Sequence, residues 1–133
     1  MVATASPISI LVLEPHSTIS SRLRRFQSDL NVTVRESRRS ESFREQLRAM
    51  SYPIAVFDLS IGREVVADIV GESARVHATA VVIGKIDAWL EAQQLRELGA
   101  ICLLPELPNA NQWRALLGQI IHDLRTKCAF VRS

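Results

Sequence analysis

The chain has 133 residues, 47% of them hydrophobic and 23% charged, a balance that fits one packed domain needing no metal or disulfide staple. Its two cysteines, Cys102 and Cys128, sit in no C-x-x-C pair and have no histidine at ligand spacing, which excludes a disulfide framework and points to idle thiols in a reducing cytoplasm. The net charge of +2 is unevenly spread: residues 16–51 carry eight Arg against four acids, a local +4 that leaves −2 for the rest.

Met1–Ser6 is small and polar, so residues 1–7 are expected to form a loose arm before a folded unit over 8–127 and a tail over 128–133. Ile8–Leu13 is an apolar run of the kind a buried parallel strand presents. With six residues and no basic flank it is neither a signal peptide nor a membrane span, and a cytoplasmic protein is expected. Ser17 or Thr18 can cap a helix with Ile19, Leu23, Phe26 and Leu30 at helical spacing. Asn31–Arg35 alternates Val32 and Val34 with polar residues, as a less buried strand does. Ser42 with Glu45 has the capping-box spacing and opens a short helix with Phe43, Leu47 and Met50 on one face.

Ile54–Phe57 reads as the third strand, ending at Asp58, and Ser60–Gly62 as a turn. A helix follows from Glu64 to about Gly71, then a strand at Ala80–Ile83 stopped by Gly84. Ile86–Leu98 is helical up to Gly99, Ile101–Leu104 is the fifth strand, and Asn111 to about Lys127 is the last helix. That helix carries Trp113, Leu117, Ile120 and Ile121 on one stripe, so Trp113 is assigned to the core. Strict βα alternation implies a flavodoxin-like (βα)5 sheet, doubly wound, with strand order 2-1-3-4-5. Ligands of such sheets bind outside the carboxyl ends of the strands, where Glu14, Asp58, Gly84 and Glu106 fall.

The Arg-rich stretch is read as a solvated surface. Arg25–Asp29, Glu41–Arg44 and Glu45–Arg48 stand at helical ion-pair spacing. Nucleic-acid binding through Arg22, Arg25, Arg44 and Arg48 ranks third among the functional readings, since Lys is nearly absent and no aromatics interleave. His16, His77 and His122 are scattered, and no nucleophile elbow, P-loop or dinucleotide fingerprint is present, so no enzyme is expected.

Over nearly all of residues 8–127 the sequence resembles the receiver domain of two-component response regulators. The match rests on I-L-V-L-E-P-H-S-T-I (10–19), P-I-A-V-F-D-L (53–59), A-V-V-I-G-K (80–85) and L-G-A-I-C-L-L-P-E-L (98–107). The resemblance implies that Asp58 stands at the phospho-accepting position, with Glu14 and Glu106 completing a remnant acidic pocket. Pro15 replaces the second acid of the family's pair, Gly84 its hydroxyl residue, Leu103 its switch aromatic and Glu106 its cationic Lys. Lys85, beside Gly84, is read as an exposed helix-start residue.

The expectation is therefore a pseudo-receiver that binds a protein partner or a second copy without phosphorylation and without a cofactor. The alternative is a working phospho-receiver in which Glu14 and Asp58 hold Mg²⁺. In the family, partners commonly dock on the face of the fourth helix, fifth strand and fifth helix. Here that face spans Lys85–Leu98, Ile101–Leu104 and Asn111–Lys127, with Trp89, Gln93 and Arg96 as the expected anchors.

Overall fold

The computed structural model describes residues 7–84, 89–103 and 108–132, with the side chains of 89–91, 102–103 and 127–132 outside that description. Five strands, β1 (Ile8–Leu13), β2 (Val32–Ser37), β3 (Ile54–Asp58), β4 (Thr79–Ile83) and β5 (Ala100–Leu103), form one parallel sheet in the order β2-β1-β3-β4-β5. The helices are α1 (Thr18–Arg24), a one-turn α2 (Gln27–Leu30), α3 (Ser40–Ala49), α4 (Arg63–Arg75), α5 (Trp89–Glu97) and α6 (Ala110–Arg132). The expected topology is the one observed. Among the described residues no helix is long and apolar enough to cross a membrane.

Alternation along each strand divides the core in two. Ile10, Val12, Ile54, Val56, Val81 and Ile83 point to one face, where they meet Ile19 and Leu23 of α1 and Trp113 and Leu117 of α6. Their neighbours Leu11, Leu13, Ala55, Phe57 and Val82 point to the other, against Phe43 and Leu47 of α3 and Val66, Ile69 and Val70 of α4. On that second side the rings of Phe43 and Phe57 lie 5.1 Å apart, tilted by 55°. Trp113 is fully buried, as its place on the α6 stripe implies.

Several local expectations are corrected. The helix read as continuous through Leu30 breaks after Arg24, and Asn31 closes α2 with φ +53, a left-handed conformation Asn tolerates. The Ser42–Glu45 capping box does not form, because α3 already begins at Ser40 and no side chain caps it. Met50 is 51% exposed rather than on the buried face. Helix α4 runs through Gly71 to Arg75, and α6 continues through the expected tail to Arg132. The ion pairs join elements instead of running along one helix: Arg44 and Arg48 both reach Glu72 of α4, and Asp29 pairs with Arg114 of α6. The arm at 1–6, Lys85, Pro105 and Glu106 lie outside the described residues.

Candidate functional site

The strand order reverses at β1 and β3, so the crevice of a doubly wound sheet opens beyond Leu13 and Asp58. Glu14, the first residue past β1, is 1% exposed. Its Oε1 accepts from the Ile19 amide at 2.9 Å and its Oε2 from the Ser20 amide at 2.8 Å. A buried carboxylate with one hydrogen bond on each oxygen thus caps α1 from four residues before the helix begins. Ser17, expected to do this, makes no cap bond.

The Ser17 hydroxyl is engaged elsewhere. It donates to Glu36 of β2 at 2.7 Å, Ser20 Oγ donates to the same carboxylate oxygen at 3.0 Å, and Arg24 lies 3.6 Å from the other. Arg38 in turn donates to Ser17 Oγ at 3.4 Å. The Ser17 hydrogen bond is the main reason the Glu36 carboxyl is held below its usual range; Ser20, Arg24 and Arg38 add to it, and partial burial opposes them. Nothing local in the sequence singles out Glu36, since its partners lie up to 19 residues away.

Asp58 ends β3, half buried. Its Oδ1 accepts from the Ser60 amide at 2.9 Å and so caps a single 3₁₀ turn, Leu59–Ile61. The turn closes at Gly62, whose φ is +123 and whose amide reaches the Leu59 carbonyl at 3.1 Å. Leu59 itself faces inward, 8% exposed, and joins the core under α4.

Leu59 also meets the end of β4. At Gly84 φ is +143, and a Cβ built there would stand 2.8 Å from Leu59 Cβ and 3.6 Å from the Leu59 amide nitrogen. Real side chains do not make an approach of 2.8 Å, so the turn after Asp58 leaves room only for glycine at position 84. Beyond this contact a cleft of about 510 Å³ separates α4 from α5, lined by Leu59, Ala67, Leu95 and Leu98 with charged groups at its rim. That cleft had no signal in the sequence.

The structure therefore brings Glu14, Asp58 and Gly84 to the same edge of the sheet but gives Glu14 and Asp58 separate backbone partners. Pro15 is exposed, and among the described residues no group of three His, Cys, Asp or Glu is placed to hold a metal. Gln93 and Arg96 are exposed on α5, whereas the side chains of Trp89 and Leu103 lie outside the described residues, as does Glu106.

The parallel (βα)5 sheet with its crevice at the β1–β3 reversal defines a doubly wound α/β domain. Its fold is that of response regulator receiver domains. A two-component response regulator from Clostridium difficile superposes with a TM-score of 0.76 at 12% identity, covering 88% of this chain and 98% of that one. The signal receiver domain of an HD domain-containing protein from Pseudomonas fluorescens Pf-5 gives 0.75 at 13% identity, with 97% of each chain covered. A response regulator receiver protein from Pseudomonas putida gives 0.70 at 16%, covering 87% and 99%. No family model matches the chain. No curated protein matches it by sequence.

Proposed function

We propose that the chain is a receiver-like signalling module that works by binding another protein, or a second copy of itself, without phosphoryl transfer to Asp58. The contact between Gly84 and Leu59 carries this reading. A phosphoryl group on Asp58 would need donors around its oxygens, and position 84 is where the resemblance expects a hydroxyl. No side chain fits there unless the 59–61 turn moves.

The carboxylates also do not fit a magnesium ion. Both oxygens of Glu14 accept from buried amides, the Pro15 side chain offers no ligand atom, and Asp58 commits Oδ1 to Ser60. Mg²⁺ demands near-octahedral oxygen ligands, and recruiting Glu14 would uncap α1. No metal-dependent step is assigned to these residues. Partner binding is assigned to the face of α5, β5 and α6, where Gln93 and Arg96 are exposed and the apolar Leu98 and Ile101 are 42% and 36% exposed.

The test is incubation of the full chain with acetyl phosphate and Mg²⁺, followed by intact-mass measurement. The expected spectrum is unchanged. A labile phosphoryl adduct that disappears in Asp58→Asn would establish the other reading, a phospho-receiver built on Asp58 and Glu14.

A further inference from the structure

The cleft between α4 and α5, of about 510 Å³, falls within the roughly 300–1,000 Å³ typical of small-molecule sites. Its floor is apolar. Leu59 and Leu95 are 8% and 6% exposed, and Ala67 of α4 offers only a methyl group where a longer side chain would fill the space. Leu98, 42% exposed, forms a further part of the wall. Water over such a floor finds no hydrogen-bond partners there, so an apolar body that displaces it is favoured.

The rim has a different chemistry. Glu64 and Glu97 both line it, and neither carboxylate has an ion-pair or hydrogen-bond partner among the described residues. Arg63, also at the rim, is engaged in a contact of its own. Glu64 stands in the first turn of α4, where the helix dipole favours an acid. Glu97 has no such reason to be acidic. It is the last residue of α5, at the negative end of that helix's dipole, where a carboxylate works against the fold. A cation at the mouth of the cleft accounts for its placement.

We infer that this cleft is a binding site for a small cationic amphiphile, an apolar body carrying one amino group. The body lies on Leu59, Ala67, Leu95 and Leu98, and the ammonium meets Glu64 and Glu97. The site stands whether or not the α5–β5–α6 face binds a protein. Leu59 also backs onto Gly84, so an occupant of the cleft presses on the turn that Asp58 caps.

Three probes with one apolar skeleton test this on the full methyl-labelled chain: phenylpropylamine, phenylpropanol and phenylpropionate. Binding is followed by NMR at the methyl groups of Leu59, Ala67, Leu95 and Leu98. Saturable shifts are expected there, with the amine bound about fivefold more tightly than the alcohol, the gain an exposed ion pair brings, and the carboxylate weakest. Glu64→Gln combined with Glu97→Gln removes the amine's advantage and leaves the affinity for the alcohol unchanged. Ala67→Phe fills the cleft and abolishes the shifts. Leu98→Gln, at a more exposed position, weakens all three probes and decides the matter should the bulkier change disturb the circular dichroism spectrum.

If the amine does not saturate, if phenylpropionate binds as well as the amine, or if the wall variants leave binding unchanged, the cleft is not a site for a cationic amphiphile. Loss of self-association in Ala67→Phe by sedimentation, with no probe bound to the wild type, assigns the cleft to a second copy of the chain and overturns the small-molecule reading.

Discussion

A carboxylate sealed from water keeps its charge only where its lone pairs are met, and at Glu14 two amides of α1 meet them at 2.9 and 2.8 Å. Asp58 is held far more lightly, by one amide bond in an exposed turn. The two carboxylates should therefore differ in mutational cost. Glu14→Ala leaves two buried N–H groups unpaired and is expected to lower unfolding free energy by about 3 kcal/mol. Asp58→Ala removes a single cap and is expected to lose about 1 kcal/mol or less. Denaturant titrations of the two variants check the order, and a larger loss at Asp58 would mean that its carboxylate anchors the fold.

At the scale of elements, the 3₁₀ turn after β3 and the end of β4 are fitted to each other through Leu59 and Gly84. Gly84→Ala combines a backbone conformation that L residues rarely adopt with an overlap on Leu59 Cβ, and a loss of about 2–4 kcal/mol is expected by denaturant unfolding. A change within 0.5 kcal/mol would show that the turn yields freely. This contact joins residues 25 positions apart and left no trace in the sequence. The strands were legible because parallel strands buried on both faces are short apolar runs between turn residues, as at Ile54–Phe57. Helix starts were less so. Capping signals are sought in Ser, Thr, Asp and Asn next to the first turn, whereas α1 is capped by a glutamate lying outside it. The helix expected to reach about Gly71 runs through it, because the packing of the buried Val70 and Ser73 outweighs the weak propensity of glycine. Of the candidate site, the positions of Glu14, Asp58 and Gly84 could be read from strand ends; their partners required the fold.

For the molecule as a whole, the two cores fix both layers of helices on the sheet, and the face proposed for association is that of α5, β5 and α6. Trp89→Ala is expected to reduce self- or partner association at least several-fold with an unchanged circular dichroism spectrum, since aromatic anchors dominate interfaces. Sedimentation of wild type and variant checks this; equal association, or a wild type that stays monomeric and partnerless at high concentration, removes the assigned face. The fit of Gly84 against Leu59 has a consequence for the history such a sequence can have. Any lineage that gained a hydroxyl side chain at position 84 by one substitution would pass through a protein strained at φ +143 and against Leu59 at once. The 59–61 turn would have to be rebuilt first. Entry of any side chain at position 84 therefore begins with a penalty that no single substitution avoids.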